Sequence, residues 1–409
     1  MKADDPLVEV LLRNEQYWAG KKVLFAGDIT SPQLLPQLIR TTAATVLTDN
    51  YEFASSLSAM MGVRLGHSAR EFAQKKHVQV IFGSCHDPQV VQHLASVETL
   101  VLFLSKSKSL SQDLLYHLQS KLTDKTNILL IGANAIGGKS ADSLLKNAAT
   151  VYKVDTARKC TVFLGQLKAP QADTATGITL PALKPCKAIP AVRYGGISCE
   201  QLPGIFSQGQ LDTGTHMLLN ALHADLTAQA LGLSKSENIT DLATSYLTIL
   251  PPLNIAEPIL DLGCGAGMIG LSLAARGCSH IVSTDISATA LFSTELNASK
   301  EQLSKRILPL ACDMLPQEAT LEAAQSFMGG SNKFRFIVTN PPFHQGLNRS
   351  TSKTLDMIAH APEYLSANGA LYLVGNTCLH YEQALEQAFK RVEVLYSTTK
   401  FTVFKAQMA

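Results

Sequence analysis

The most informative segment of this sequence is Pro258-Ile259-Leu260-Asp261-Leu262-Gly263-Cys264-Gly265-Ala266-Gly267. A short apolar run ends in an acidic residue and three alternating glycines, and the helix-like segment Met268–Arg276 follows at once. Glycines at such a turn let the backbone bend sharply and approach a ligand where a side chain would collide. A strand, a glycine-rich turn and a helix in this order predict a nucleotide-binding α/β domain.

The pattern continues toward the C-terminus as apolar runs that alternate with helix-like stretches. The apolar runs are Ile259–Asp261, Ile281–Asp285, Ile307–Cys312, Phe334–Thr339 and Leu371–Val374. Between them, Ala288–Lys300 and Tyr381–Arg391 have helical periodicity. This alternation predicts a parallel sheet with helices on both faces. Val392–Tyr396 and Phe401–Lys405, joined by a short polar turn, predict a closing antiparallel hairpin.

The N-terminal part resembles a second, degenerate copy of the same α/β plan. Its strand-like segments match those of the C-terminal part in the same order: Lys22–Asp28, Leu100–Ser105, Asn127–Asn134 and Val151–Leu167. We therefore interpret the chain as an internal duplication. Residues 1–167 form the first domain, the stretch 168–190, rich in Pro, Ala and Thr, forms a linker, and residues 191–409 form the catalytic domain.

The glycine loop fits two kinds of ligand. Asp261 can accept hydrogen bonds from an ammonium group, and the free N–H groups of the following helix can bind a carboxylate. S-adenosylmethionine carries both groups at its methionine end. The loop glycines Gly263, Gly265 and Gly267 suit it, but Gly265, Gly267 and Gly270 also satisfy GxGxxG, which is typical of dinucleotide sites. The loop alone leaves both ligands open.

Two further acidic residues follow the next strands of the predicted sheet. Asp285 ends the second strand, where it is placed to bind ribose hydroxyls of either ligand. Asp313 follows the third strand and is a candidate acceptor for an adenine amino group. Both positions are also typical of acidic residues that cap a helix.

Asn340-Pro341-Pro342-Phe343, after the fourth strand, decides between the two ligands. The lone pair of an aromatic amine is delocalised into its ring, so an enzyme must hold both amine hydrogens while the nitrogen becomes tetrahedral. The Asn340 side-chain oxygen and the Pro341 carbonyl are two such acceptors, and Phe343 offers a face on which a base can stack. A nicotinamide dehydrogenase has no use for this motif, which predicts methylation of an exocyclic amine with S-adenosylmethionine.

Composition limits the remaining possibilities. The chain has 409 residues, a formal net charge of +2 and eight scattered cysteines. Such a charge argues against a general basic coat for nucleic acid, though a local basic patch remains possible. The absence of a CxxC pair or HExxH helix leads us to expect no metal. No signal peptide or membrane-spanning apolar run is visible, so we expect a cytoplasmic protein.

The chain resembles the bacterial small-subunit (16S) ribosomal RNA guanine-N2 methyltransferase C family. The similar stretches are Val10–Arg13, Leu24–Asp28, Val154–Cys160, Leu202–Thr215, Asp261–Gly267 and Asn340–Gly346. The resemblance implies two tandem Rossmann-like class I methyltransferase domains, the first degenerate and the second active. It also implies that the Leu202–Thr215 segment, with Phe206 and Asp212, helps to bind the cofactor.

The resemblance further implies a guanine of 16S ribosomal RNA, within the assembled small subunit, as the target, and we expect a monomer. Three alternatives stay open: a guanine of large-subunit (23S) RNA, DNA adenine or protein glutamine as the substrate, and a non-catalytic RNA-binding or assembly protein. For the first domain we expect a role in positioning RNA, with Lys21, Lys22, Lys106, Lys108 and Lys139 as candidate phosphate contacts. A purely solvated lysine surface is the alternative.

Overall fold

The computed structural model describes residues 5–146, 148–168, 183–207, 209–233, 250–341 and 347–408. The chain divides into two compact units, Met1–Ala188 and Ile189–Ala409. Each unit has its own sheet and its own apolar core. No helix among the described residues is long and apolar enough to cross a membrane.

The first unit contains five helices and eight strands within its described residues. The helices are α1 (Pro6–Arg13), α2 (Leu35–Leu38), α3 (Tyr51–Met60), α4 (Pro88–His93) and α5 (Lys108–Leu118). The strands are β1 (Lys22–Gly27), β2 (Ala43–Thr48), β3 (Glu71–Lys75), β4 (Val78–Phe82), β5 (Thr99–Phe103), β6 (Asn127–Ala133), β7 (Ala149–Ala157) and β8 (Cys160–Leu167).

The sheet of the first unit has the strand order β3-β4-β2-β1-β5-β6-β8-β7. Its five central strands, β4, β2, β1, β5 and β6, are parallel, and β3, β8 and β7 each run antiparallel to their neighbours. All five residues of β5 are buried, because a parallel strand in the middle of such a sheet is covered on both faces.

The second unit contains six helices and nine strands within its described residues. The helices are α6 (Thr213–Leu231), α7 (Met268–Ala275), α8 (Ala288–Lys300), α9 (Glu318–Ala324), α10 (Leu347–His360) and α11 (Tyr381–Ala388). The strands are β9 (Val192–Tyr194), β10 (Ile197–Cys199), β11 (Ile259–Leu262), β12 (Ile281–Asp285), β13 (Ile307–Ala311), β14 (Phe334–Thr339), β15 (Leu365–Asn376), β16 (Arg391–Ser397) and β17 (Phe401–Gln407).

The sheet of the second unit repeats that of the first. Its order is β13-β12-β11-β14-β15-β17-β16, with five parallel strands followed by two antiparallel ones. Strand by strand this is the order β4-β2-β1-β5-β6-β8-β7 of the first unit, which adds only the edge strand β3. The predicted tandem α/β plan and its closing hairpin are therefore confirmed.

Some boundaries differ from the sequence prediction. The strand predicted at Leu371–Val374 extends over all of β15, and the helix predicted to reach Arg391 ends at Ala388, because Phe389 is extended. The described end of the predicted linker packs on the first unit. Leu183 is buried in that unit's core, and its N–H donates to the Gln119 side chain at 3.3 Å.

Candidate active site

The glycine loop joins β11 to α7 in the second unit. Gly263, Gly265 and Gly267 all have positive φ (74°, 56° and 89°), a conformation that side-chain-bearing residues rarely adopt. Gly267 is the N-cap of α7 and has no side chain to bond the helix's first N–H groups, and of these the Gly270 N–H donates to Asp261. The N–H groups of Met268 and Ile269, ahead of Gly270, are placed to bind a carboxylate at the helix N-terminus.

Asp261, on β11, is fully buried beneath the loop. Its Oδ2 accepts a hydrogen bond from the Gly270 N–H at 2.9 Å, whereas Oδ1 meets no donor at hydrogen-bonding geometry among the described residues. Burial is the main cause that raises the pKa of this carboxyl to about 7; the Asp285 charge acts in the same direction, and hydrogen bonds from the Gly270 N–H and the Ser283 hydroxyl oppose it. A buried acceptor without a partner suits a cationic ligand group.

Asp285, at the end of β12, shapes the glycine loop from the neighbouring strand. Its Oδ2 accepts from the Gly265 N–H at 3.0 Å, and its Oδ1 accepts from the Ser287 N–H at 2.9 Å. The carboxylate therefore holds the loop and the start of α8 together. Each carboxylate oxygen has further acceptor capacity, so these bonds leave room for a ribose hydroxyl.

Asn340 follows β14, at the same edge of the sheet as the glycine loop. Its Nδ2 donates to Asp212 Oδ2 at 3.0 Å and to Thr215 Oγ1 at 2.7 Å. Because an ionised carboxylate only accepts hydrogen bonds, Asp212 determines which way the Asn340 amide faces. The other amide atom, Oδ1, is buried and has no partner among the described residues. Oδ1 is therefore a hydrogen-bond acceptor in a fixed orientation, placed to accept from a ligand.

The segment before α6 lies next to both Asn340 and the glycine loop. Asp212 is the N-cap of α6, and its side chain accepts from the Thr215 N–H at 3.0 Å. Ile205 lies against the loop, with its Cγ2 3.9 Å from the position a Cβ on Gly265 would take. Phe206 is 54% exposed. The structure thus places Asp212 beside Asn340 and places Ile205 over the glycine loop.

The comparisons with known proteins cover both units. A model of the methyltransferase small domain matches residues 233–405, and a model of its N-terminal domain matches residues 8–177. Ribosomal RNA small subunit methyltransferase C of Vibrio parahaemolyticus is 27% identical over 405 residues, covering 98% of this chain and 97% of that protein. The protein of the same name from Shigella sonnei is 27% identical and covers 100% and 98%. The chain belongs to the ribosomal RNA small subunit methyltransferase C family.

A solved member of this family has the same fold. The 16S rRNA N2 methyltransferase of T. thermophilus, in complex with AdoMet and guanosine, aligns with a TM-score of 0.69 and 19% identity, covering 100% of this chain and 93% of that one. The family resemblance and the two methyltransferase-type domains predicted from the sequence are thus confirmed.

The remaining predicted site residues are Pro341, Phe343 and Asp313. The Pro341 side chain is buried, and Phe343 lies outside the described residues. Asp313, after β13, forms an ion pair with Lys353 of α10. Its proposed contact with adenine therefore has to coexist with a lysine.

Sequence reasoning missed Thr215 and Ile205 as site residues. The spacing of Asp212 and Thr215, three residues apart at a helix start, is a capping signal that locates both residues at the N-terminus of α6. Nothing in the local sequence indicates that Thr215 also bonds Asn340, which is 125 residues further along the chain.

Proposed function

We propose that this protein transfers a methyl group from S-adenosylmethionine to the exocyclic N2 amine of a guanine in 16S ribosomal RNA. The observation that carries the proposal is the buried Asn340 Oδ1, which has no partner among the described residues and is held by Asp212 and Thr215 at the edge of the sheet that carries the glycine loop. The names of the full-length relatives point to the same RNA.

The cofactor would lie across the glycine loop, and the residues present fit it. Asp261 would take its ammonium group, the N-terminus of α7 its carboxylate and Asp285 its ribose. Asp313 would approach the adenine, and the Phe206–Asp212 segment would cover the site. When bound, S-adenosylmethionine supplies an electrophilic methyl group.

The target amine would be held by Asn340 and Pro341. Asn340 Oδ1 accepts one amine hydrogen and the Pro341 carbonyl accepts the other, while Phe343 stacks on the base. Both hydrogen bonds strengthen as positive charge develops on the nitrogen, which stabilises the transition state more than the ground state. The nitrogen can release its proton after methyl transfer, so the site needs no strong base.

The proposal also covers the assembly state of the substrate, the location of the protein and its oligomeric state. We propose the assembled small subunit as the target, the bacterial cytoplasm as the place of action and a single chain as the working form. One chain carries both units and all of the proposed catalytic and cofactor-binding residues, which supports a monomer. Light scattering after size exclusion would test the last point, and a stable dimer would contradict it.

The first unit would position the RNA, and the structure narrows which lysines can act together. Lys106 and Lys108 follow β5, Lys139 follows β6, and all three are exposed at the carboxyl edge of the sheet. Lys21 and Lys22 lie at the start of β1, hence at the opposite edge. We therefore assign phosphate contacts to the first three lysines only.

Incubation with labelled S-adenosylmethionine tests the proposed function. Small subunits, large subunits, naked 16S RNA and DNA would be offered separately, and nucleosides would be identified by mass spectrometry. We expect N2-methylguanosine in 16S RNA, with small subunits as the best substrate. Label in 23S RNA or DNA would replace the substrate, and no transfer to any of them would favour a non-catalytic assembly role.

A further inference from the structure

A cluster of cysteine, histidine and aspartate side chains lies in the first unit. Cys85 and His86 follow β4, and Asp113 and His117 lie on α5. Cys186 belongs to the described end of the predicted linker, which packs on this helix. Cys85 and Asp113 are buried, and His86 and Cys186 are partly buried.

The cluster is arranged around the Asp113 carboxylate. Its Oδ2 lies 2.6 Å from His86 Nε2 and 3.8 Å from Cys85 Sγ, and its Oδ1 lies 3.4 Å from Cys186 Sγ. The ligand atoms of Cys85, His86 and Asp113 all lie within 4.8 Å of one another. Ligand atoms around a tetrahedral zinc ion are about 3.3–3.8 Å apart, given metal–ligand bonds of about 2.0–2.3 Å.

Hydrogen bonds to Asp113 account for the packing of the two thiols, but not for that of His86. His86 Nε2 is buried and has no hydrogen-bond partner among the described residues, although it is the atom closest to Asp113. At 2.6 Å, His86 Nε2 and Asp113 Oδ2 are closer than two ligands of one tetrahedral zinc ion, so zinc binding would move them apart by roughly 0.7 Å. His117 Nε2 lies 3.6 Å from Asp113 Oδ1, and its ring packs against that of His86, with the ring centroids 4.4 Å apart.

The charges of the cluster also favour a cation. Two thiols and two imidazoles surround the Asp113 carboxylate. In the part of the chain that the structure describes, Asp113 pairs with histidines and with no lysine or arginine. A buried carboxylate among neutral groups is costly unless a cation compensates it.

In the second unit, an acidic residue at the equivalent junction is paired with a basic one. There the loop after β13 meets the helix after β14, and the contact is the ion pair between Asp313 and Lys353. In the first unit, the loop after β4 meets α5, but thiols and imidazoles face the acid instead of an ammonium group. The duplicated fold places a positive charge at this junction in one copy and soft metal ligands in the other.

We propose that Cys85, His86 and Asp113 bind one Zn²⁺ ion, that Cys186, whose Sγ lies 3.4 Å from Asp113 Oδ1, moves in as the fourth ligand, and that His117 supports Asp113 from outside the coordination shell. Two sulfurs, one imidazole nitrogen and one carboxylate oxygen suit zinc, whereas magnesium and calcium prefer all-oxygen sites. Four protein ligands leave no open position, so the ion would be structural. It would fasten the segment around Cys186 to α5 at the end of the first unit.

The full chain, stripped with a chelator under reducing conditions, would be titrated with Zn²⁺ and, as a spectroscopic probe, with Co²⁺. We expect one ion per chain, zinc affinity in the nanomolar range or tighter, thiolate-to-cobalt charge-transfer absorption and a higher melting temperature with zinc. Cys85→Ser and Cys186→Ser should each weaken zinc binding by at least about tenfold and reduce the charge-transfer band.

Cys160→Ser and Cys378→Ser, a buried and an exposed cysteine outside the cluster, serve as controls and should bind as the unchanged protein does. Because Cys186 is only partly buried, its variant should remain folded, and circular dichroism would check this. Absence of stoichiometric zinc, or binding unaffected by both cluster variants, would overturn the proposal. So would a Cys85–Cys186 disulfide whose reduced form binds no zinc.

Discussion

The orientation of the Asn340 side-chain amide is determined by its neighbours. Asp212 and Thr215 take its amide hydrogens and leave Oδ1 as the free acceptor. We predict that Asn340→Ala lowers the methyl-transfer rate by a factor on the order of 10²–10³, because the variant lacks one transition-state hydrogen bond. Turnover and calorimetry would measure rate and S-adenosylmethionine affinity, and the affinity should barely change.

Asn376→Ala is the matched control for this prediction. Asn376 ends the adjacent strand β15, and its side chain accepts only from the Cys378 N–H among the described residues, at 3.1 Å. Its removal should leave the rate close to that of the unchanged protein. Near-normal turnover of Asn340→Ala would contradict the role given to Oδ1.

Asp261 predicts a pH dependence of cofactor binding. Its pKa of about 7 means that a large share of the carboxyls is protonated near neutrality, and the protonated form cannot pair with an ammonium. Affinity for S-adenosylmethionine should therefore rise as pH increases through 7, until the ligand's own amino group, with a pKa of about 7.7–8.0, loses its proton. Asp261→Asn should weaken binding and abolish the acidic limb.

The stability of the folded protein should depend on pH in the direction opposite to that of cofactor affinity. The unfolded carboxyl has a pKa of 3.8 and the folded one about 7, so the folded state binds more protons between these values. The contribution of Asp261 to stability is thus lost as pH rises from about 4 to about 7. Glu257→Gln, an exposed acid just before β11, should change neither profile. A pH-independent affinity in the unchanged protein would refute the Asp261 assignment.

Among the elements of the second unit, α7 packs tightly against β11 and β12 at Gly270. A Cβ on Gly270 would lie 3.0 Å from Ser283 Oγ and 3.1 Å from Asp261 Oδ2. Alanine in a helix interior ordinarily stabilises by about 1 kcal/mol relative to glycine. We predict the reverse for Gly270→Ala, with a lower melting temperature and weaker cofactor binding, since the helix must move away from Asp261.

Ala275→Gly tests the helix-propensity effect separately. Ala275 is exposed at the end of the same helix, so this change should lower stability without altering cofactor affinity. If Gly270→Ala stabilised the protein and left its S-adenosylmethionine affinity unchanged, the close packing of α7 on Asp261 would not be required for cofactor binding.

Helix α6 is fastened to the sheet by buried polar groups. Asp225 accepts from Tyr372 Oη of β15 at 2.7 Å and from Lys405 Nζ of β17 at 2.8 Å. We predict that Asp225→Ala lowers the free energy of unfolding by about 3 kcal/mol, because it leaves a buried ammonium unpaired. Urea unfolding would measure this change.

Glu200→Ala breaks a comparable ion pair, with Lys300, in which both side chains are about half exposed (52% and 44%). It should cost less than about 1 kcal/mol. Equal effects of the two substitutions would mean that the Asp225 pair contributes no more than a surface ion pair.

At the scale of the whole molecule, one of two similar units has lost the features of a methyltransferase site. In the first unit, Ser105-Lys106-Ser107-Lys108 stands where the second has Asn-Pro-Pro-Phe. The Asp28 N–H also bonds the Phe103 carbonyl at 2.9 Å, joining the ends of β1 and β5. We predict that residues 189–409 alone keep the S-adenosylmethionine affinity of the full chain and lose most RNA methylation.

Charge reversal of Lys106 and Lys108 refines this prediction within the full chain. For each lysine that no longer neutralises a phosphate, the log–log salt dependence of RNA binding should flatten by nearly one unit. Reversal of Lys21 and Lys22, at the opposite edge of the sheet, is the matched control and should change the slope little. Equal slopes in all proteins, with full activity of residues 189–409, would leave the first unit without an RNA role.

The tandem α/β plan, the glycine loop and the Asn-Pro-Pro-Phe motif could all be recognised from the order of residues along the chain. These features are local, since apolar periodicity and the conformational demands of glycine and proline act over a few residues. Only the tertiary structure decided which way Asn340 faces, because its partner Asp212 lies 128 residues away. The same holds for the cluster around Asp113, whose members lie between positions 85 and 186 and meet only through packing. Spacing along the chain carries no signal for interactions of this kind, since the fold alone determines which distant side chains meet.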